Sequence, residues 1–512
     1  TMILSILSNV LILLSLSHNF NLVHGSNEDQ IKVDVNNTKV FGPGLFPELI
    51  VLPVRYFFIE TYNSKNVRIK SSSGDRIKVQ VEGETSNGLH CRVWVQVLDR
   101  YDGSYIVRYR TYQTCFKTTI HVMYNYRHIA ESPYKFEGPI YAEDCNCPVK
   151  DVSSWTEMVG CPQSYPQIKN DLSNFEEVDM NIVLKIAIER YHQPKARSFC
   201  NYVVLKNQVF RKCYGEHVGF SMFMDNILHS LARKMILPDF EFIVNLGDWP
   251  LSENKVKPII PIFSWCGSDE TADILMPTYD LTESTLEMMG RVTIDVFSIQ
   301  SNNKVPWKDK KPIAFWRGRD SRRERLDLIT LGKKHPDIFN VSLTNFFFFR
   351  DEEEKYGPKA KYESFFKFFD YKYQISIDGT VAAYRFPYLL AGSGVILKQD
   401  SGYYEHFYKE LEPYVHYIPF KSDLSDLIEK IQWAKDHDSE ALKISRNGRT
   451  FVQENLLPKD IYCYHALLFQ EWSRKLVSEV NAREGMELSP NKENEQRFGD
   501  CKCHRKKKHD EL

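Results

Sequence analysis

The sequence predicts two folded parts in tandem, an N-terminal β-sandwich of about 100 residues and a larger α/β domain behind it. Three observations predict this. Between about Asp29 and Phe136, apolar residues recur with period two in short runs separated by turn residues. From about Cys161 onward, short apolar runs alternate with helix-periodic stretches, the pattern of a sheet flanked by helices. Between the two, Gly138 to Pro148 is a break that carries clustered cysteines. A chain of 512 residues has room for two or three such domains.

In the first part, Val93, Val95 and Val97 alternate with Trp94 and Gln96, as in a strand with one buried face. Asp99-Arg100-Tyr101-Asp102-Gly103 is a turn, and Tyr105, Val107 and Tyr109 complete a hairpin. Ile120, Val122 and Tyr124 mark a further strand. In the second part, Phe240 to Asn245 reads as a strand that ends at Gly247-Asp248-Trp249-Pro250. Ile259 to Phe263, Ile313 to Trp316, Gly394 to Leu397 and Val415 to Ile418 read as further strands. Leu424, Leu427, Ile428 and Ile431 predict a helix capped by Ser422 or Asp423. Beyond about Ser473 the chain turns charged and ends in the basic run Arg505 to Lys508, which reads as a solvated tail.

The two ends form a pair. The apolar run Ile3 to Leu16, with small residues at Gly25 and Ser26, has the form of a secretory leader and is too short for a good membrane span. His509-Asp510-Glu511-Leu512 is a receptor-read signal for retention in the endoplasmic reticulum. Together they predict a lumenal resident, with segments 1–25 (leader), 26–137 (sandwich), 145–475 (α/β domain) and 476–512 (tail). A formal net charge of -1 gives no global field to attract nucleic acid. Eleven cysteines in an oxidising lumen should mostly pair, with an odd one left free. Cys91 and Cys115 are placed to staple strands, and Cys200 and Cys213 to close a loop. Cys145, Cys147, Cys161 and Cys463 are placed to tie the start of the large domain to its far end. Cys266, in an apolar run, is the expected free thiol. Cys501-Lys502-Cys503-His504 has the form of half a metal site, but no second half is apparent, so a local disulfide or a tail linkage is the better reading. Asn36 and Asn340 head N-glycosylation sequons.

Three places in the α/β part gather polar groups. Asp248 sits at a strand end, where open α/β sheets bind ligands; its carboxylate is either a general base or the cap of a turn. Arg317 to Arg325 follows the strand Ile313 to Trp316, and Arg319 and Arg325 are the candidates for a diphosphate clamp. Lys372 and the segment Asp378 to Arg385 form the third place. There Gly379 permits close approach, and Thr380, Val381, Ala382, Ala383 and Tyr384 read as the start of a helix whose amides, with Arg385, could hold an anion. This is not the lysine-bearing P-loop pattern, and there is no Gly-x-Ser-x-Gly elbow. Asp436-His437-Asp438 is the only Asp-x-Asp and reads as a solvated turn at a helix end, so no metal site is expected.

Two resemblances sharpen this reading. Phe41-Gly42-Pro43-Gly44-Leu45 and Glu131-Ser132-Pro133-Tyr134-Lys135 resemble the bounding motifs of a filamin-type immunoglobulin-like repeat. Val244 to Pro250, Pro261 to Ser264, Trp316 to Ser321, Gly379 to Phe386, His416 to Pro419 and Asp460 to Tyr464 together resemble the Rumi-like protein O-glucosyltransferases. The filamin-like repeat and the C-terminal signal point to the KDEL-motif-containing subgroup. The resemblance implies a GT-B fold of two Rossmann-like halves. It also implies inverting transfer of glucose from UDP-glucose to serine of folded EGF-like repeats, such as those of Notch, in the endoplasmic reticulum lumen, without metal or cofactor. Asp248 aligns with the family's base, and Arg325, Val381 to Tyr384 and Arg385 with its nucleotide-binding residues. Arg319 stands where many relatives have serine. Two alternatives accompany this reading: UDP-xylose as the donor, and a non-catalytic lumenal protein that binds clients or sugars.

Overall fold

The computed structural model describes residues 32–193, 197–286, 294–490, 501 and 503. The predicted leader and the C-terminal retention signal lie outside the described residues.

The N-terminal part is a sandwich of two antiparallel sheets. One runs in the order Lys39–Phe41, Arg55–Glu60, Ser104–Thr111, Val93–Asp99. The other is built on Ile77–Glu84 and Phe116–Tyr124, with Arg127–His128 and Tyr134–Phe136 also paired to Phe116–Tyr124. The predicted hairpin is present, with Val97 opposite Val107. Its turn closes on Gly103 at φ +79, where a Cβ would lie 2.1 Å from the Ile69 carbonyl oxygen; only glycine fits. Phe57, Ile59, Val107, Tyr109, Ile120 and Val122 fill the space between the sheets.

The sandwich is not a bead on a string. Tyr56 and Phe58, on its outer face, pack against Phe297 of the α/β domain at ring distances of 4.9 and 6.4 Å. Arg108 and Asp295 form a buried ion pair across the same junction at 3.2 Å. Arg449 reaches Asp102 at 3.4 Å, and Arg100 donates to Gln453 at 2.9 Å. One apolar cluster therefore runs from the sandwich's outer face into the α/β part, beside the sandwich's own core.

The α/β part holds two large sheets, and a short two-stranded one pairs Gly267–Ser268 with Tyr403–Tyr404. The first has six strands in the order Ile274–Leu275, Phe263–Ser264, Phe240–Asn245, Phe199–Leu205, Gln208–Tyr214, Glu487–Leu488. The second has five parallel strands in the order Phe339–Asn345, Lys311–Arg319, Tyr371–Ser376, Val395–Gln399, Ile418–Phe420. Several sequence expectations shift in extent. The strand predicted over Ile259 to Phe263 is only Phe263–Ser264, and that over Val415 to Ile418 is Ile418–Phe420. The helix near Leu424 begins at Leu427; Asp426 precedes it, and its carboxylate accepts from the Lys421 amide at 2.8 Å rather than capping the helix.

The predicted charged tail 476–512 is corrected over its first part. Val178 and Leu476 form a bridge, and Glu487–Leu488 adds an edge strand to the first sheet. Arg483 pairs with buried Glu241, and Glu487 with Arg211 at 3.0 Å. These charges have fixed partners, so the segment packs as part of the domain. Cystines join Cys91 to Cys115, Cys161 to Cys463 and Cys200 to Cys213. Cys145–Cys503 and Cys147–Cys501 make the tail linkage. The sulfurs of Cys145, Cys147 and Cys503 lie within 4.8 Å of one another but are engaged in these bonds. Cys266 is the buried free thiol. Asn36 is exposed in a turn, as an acceptor should be. Asn340 is tied down instead: its Oδ1 accepts from Arg317 at 2.8 Å and its Nδ2 donates to the Tyr371 hydroxyl at 2.9 Å. Among the described residues no helix is long and apolar enough to cross a membrane.

Candidate active site

Numbered along the chain, the five parallel strands take the order 2-1-3-4-5. In such sheets the chain leaves neighbouring strands 1 and 3 in opposite directions, which opens a crevice at their carboxyl ends. Strand 1 is Lys311–Arg319 and strand 3 is Tyr371–Ser376. Their following loops carry Arg319 to Arg325 and Asp378 to Arg385. A cavity of roughly 650 Å³ lies there, lined by these loops on one side and by Asp248, Tyr279 and Asp280 on the other.

Asp248 follows the Phe240–Asn245 strand of the first sheet, and buried polar groups hold its loop. Asn245 Nδ2 donates to the Trp249 carbonyl at 2.6 Å, and Asn245 Oδ1 accepts from the Gly247 amide at 2.9 Å. Asp273 accepts from the amides of Leu251 and Ser252, both at 2.8 Å. The Cys266 thiol sits 3.3 Å from the Asp248 carbonyl oxygen. The Tyr279 hydroxyl lies 3.5 Å from Asp248 Oδ1, and Trp265, Tyr384, Phe220 and Phe223 pack around its ring. Partial burial raises the Asp248 pKa, opposed by the Tyr279 hydroxyl and the charge of Arg319. A half-buried, ionisable carboxylate facing a cavity and made more basic by its surroundings suits proton abstraction.

The opposite wall is cationic. Arg325 is buried and donates Nε to the Asp378 carbonyl at 2.6 Å and Nη2 to Ile377 at 3.1 Å. Its Nη1 donates to the Arg319 carbonyl at 3.0 Å and to Ser321 Oγ at 3.3 Å. Of five guanidinium N–H groups, four are thus used within the protein. The remaining one, on Nη2, lies beside Gly379, where a Cβ would stand 3.1 Å from that nitrogen. Burial, then the like charge of Arg385, pulls the Arg325 pKa down to about 9. Arg385 donates to the Arg317 carbonyl; burial, then Arg319, lowers its pKa to about 10. Arg319 has no protein acceptor for its guanidinium among the described residues and stacks only over Phe347, 5.6 Å away. Crowded guanidinium groups of this kind call for an anion.

The backbone adds to this. Gly379 donates to the Val381 carbonyl at 2.9 Å, whereas the amides of Thr380, Val381, Ala382, Ala383, Tyr384 and Arg385 have no protein acceptor among the described residues. The segment is not the start of a helix, as the sequence led us to expect. It is irregular, and the helix is Phe386–Leu390, with Pro387 in its first turn. The free amides therefore come from a loop rather than a helix end.

Asp248, Arg319, Arg325 and the segment Thr380 to Arg385 are all brought to this one cavity. Lys372 is not and is corrected. It lies in the Tyr371–Ser376 strand, pairs with Asp438 at 2.6 Å and sits over the Trp307 ring at 5.0 Å. Asp438 is exposed, as expected of the turn at that helix end, and its carboxylate is the partner of Lys372. Sequence reasoning missed Tyr279, Asp280, Thr344, Phe365, Phe366 and Tyr388, which also line the cavity. They belong to no local motif and meet only in the fold. Asp320 was part of a recognised motif, yet it works one layer out. Buried, it accepts from the amides of Phe347, Phe348 and Phe349 and shapes the loop beneath Arg319.

Behind the site, Glu405 is fully buried and accepts from the Tyr408 hydroxyl at 3.1 Å, and burial pushes its pKa from 4.5 up to about 8. The unfolded chain therefore ionises first. The stability Glu405 contributes is full below about pH 4.5 and is lost as pH rises toward 8, on the order of 5 kcal/mol. Glu405→Gln is expected to remove this share of the pH dependence, as seen in a shallower fall of Tm across that range. Asp460, raised to about 7, and Asp273, raised to about 6, keep a comparable slope of their own.

Both parts of the chain match known families. Residues 32–135 match the filamin/ABP280 repeat, and residues 156–505 match glycosyl transferase family 90. Protein O-glucosyltransferase 2 of Danio rerio is 48% identical over 479 residues, covering 93% of this chain and 94% of that one. Protein O-glucosyltransferase 3 of Homo sapiens is 44% identical over 493 residues, covering 95% and 96%. Protein O-glucosyltransferase 1 of Homo sapiens is 31% identical over 303 residues, covering 56% of this chain and 74% of that one. With two thirds of its length matching that model, and near-full-length relatives carrying the same activity in their names, the chain belongs to glycosyl transferase family 90.

Proposed function

We propose that this protein transfers glucose from UDP-glucose to a serine of folded EGF-like repeats, in the lumen of the endoplasmic reticulum and with inversion at the anomeric carbon. The observation that carries the reading is one cavity walled by a carboxylate from the first sheet and by guanidinium groups and free amides from the second. We take the two sheets as the two Rossmann-like halves of a GT-B fold, with the donor between them. The names of the relatives support protein O-glucosylation, and the disulfides fit an oxidising compartment.

In this reading Asp248 takes the proton from the serine Oγ as that oxygen bonds to C1 of the α-linked sugar. The bond from C1 to the phosphate oxygen breaks on the opposite face, and UDP leaves with the electron pair. One displacement inverts C1 and needs no covalent sugar intermediate. Arg319, Arg385, the spare N–H of Arg325 and the amides of residues 380–385 meet the charge that grows on the diphosphate. These fixed donors do the work otherwise given to a divalent ion, so EDTA should leave the rate unchanged.

The test is to incubate the purified chain with UDP-glucose or UDP-xylose and a panel of folded EGF-like repeats, and to weigh the products. A hexose on serine from UDP-glucose is expected. Pentose transfer alone would reassign the donor. No transfer and no UDP binding would leave a client-binding protein.

A further inference from the structure

Besides Asp248 the cavity is lined by two carboxylates that the mechanism above does not use: Glu363, which is held by Arg317 at 2.7 Å, and Asp280. Asp280 stands in the first turn of the helix Tyr279–Leu286, next to the tyrosine whose hydroxyl approaches Asp248. It lines the cavity and is open to it. Among the described residues it makes no hydrogen bond and no ion pair, unlike Asp273, Asp320 and Asp378, which are all held by protein donors. It shares the cavity with Asp248 and Arg385, and the charges of both act on it. Its helix is anchored from behind: Thr282, Glu283, Ser284 and Thr285 are buried, and Ser284 is 3.4 Å from the Tyr388 hydroxyl.

A bare carboxylate in this place constrains what it can meet. When ionised it only accepts hydrogen bonds. It would repel a diphosphate and gains nothing from an apolar surface. The groups that belong beside it are neutral donors, and in a site that also binds a diphosphate the hydroxyls on the ring carbons of the attached sugar are such donors. Burial, then the neighbouring charge of Asp248, raises its pKa to about 6, so it is mostly ionised at neutral pH and an acceptor when a donor sugar arrives.

The geometry points to Asp280 as a specificity-determining residue that accepts a hydrogen bond from one hydroxyl of the transferred sugar. This inference rests on the reading of the cavity as a sugar-nucleotide site. It gives the protein a way to sense a hydroxyl group, which an apolar pocket does poorly, because the site's own acceptor is left unpaired when that hydroxyl is missing.

The test uses full-length protein, a folded EGF-like repeat, and UDP-glucose beside four analogues that each lack one ring or hydroxymethyl hydroxyl. With wild type, one analogue is expected to lose about 10- to 100-fold in kcat/KM, the range of a hydrogen bond to a charged group. In Asp280→Ala that analogue should react about as well as UDP-glucose, because the partner of the missing hydroxyl is gone. Affinity for UDP alone should stay within about twofold of wild type. Asp280→Asn, which keeps shape and an acceptor oxygen, should retain part of the discrimination, and equal Tm values for both variants exclude misfolding. Equal penalties on every analogue in wild type and variant, or a rise confined to the KM for the protein acceptor, would overturn the assignment while leaving sugar transfer intact. Wild type that neither binds UDP nor transfers would overturn the site reading itself, and Asp280's role with it.

Discussion

Asp248→Asn is expected to lower kcat by about 10²- to 10⁴-fold, the usual worth of a positioned general base, while UDP still binds. An amide cannot take the proton of the attacking hydroxyl. It can replace the carboxylate in every other respect. The Tyr279 hydroxyl, 3.5 Å from Oδ1 in the native protein, still finds a carbonyl oxygen. The Cys266 thiol meets the backbone oxygen of residue 248, which the substitution does not alter. The loop is fixed by Asn245 and Asp273, not by the Asp248 side chain. Loss of rate should therefore come without loss of fold. Calorimetry with UDP and single-turnover kinetics read the two effects apart, and turnover within a few-fold of wild type would exclude Asp248 as the base. Its raised pKa also has a sign: the base works only when ionised, so kcat/KM should fall on acidification at a higher pH than for a water-exposed aspartate.

Much of this site could be read before the fold was known, for local reasons. Asp248 lies between turn formers directly after an unbroken apolar strand, and a strand end is where ligands bind. The hairpin of the sandwich was visible because one face is buried and the other is not, so its period survives in the sequence. Where the reading failed, the cause was a contact between distant residues. Lys372 looked like a phosphate ligand because it precedes the glycine loop, but its side chain pairs with Asp438, 66 residues away. The run Val381 to Ala383 looked helical because alanine favours helices; yet Val381 and Ala382 are packed against Cys266 in a loop, and the helix waits for Phe386. Residues 476–489 looked solvated because they are charged, but Arg211 and Glu241 supply partners that no local pattern reveals. Asp280 had no motif at all. It reaches the cavity only because its helix packs against the distant helices Ser221–Lys234 and Pro458–Ser473.

Arg325 and Arg319, six residues apart, should respond to substitution in opposite ways. Arg325→Ala removes the donor that joins three backbone carbonyls, those of Arg319, Ile377 and Asp378. Those oxygens belong to the two loops that flank the cavity, and two of the bonds are themselves buried. Leaving them unpaired should cost about 3–5 kcal/mol of stability, since each stranded buried group costs on the order of 1–3 kcal/mol and the losses overlap. Tm should drop, and donor binding should fail because the loops lose their relative position. Arg325→Lys restores the charge but not the planar fork, so it should recover little. Arg319→Ala strands no buried group, because its guanidinium has no protein acceptor among the described residues and touches only the face of Phe347. Its Tm should therefore stay close to wild type. Its KM for the donor should rise about 10- to 100-fold, the worth of one charge-assisted contact to phosphate. Thermal melts and donor titrations of the two variants separate a residue that builds the anion site from one that occupies it. If Arg325→Ala keeps its Tm while Arg319→Ala loses it, the roles drawn from the hydrogen bonds are reversed.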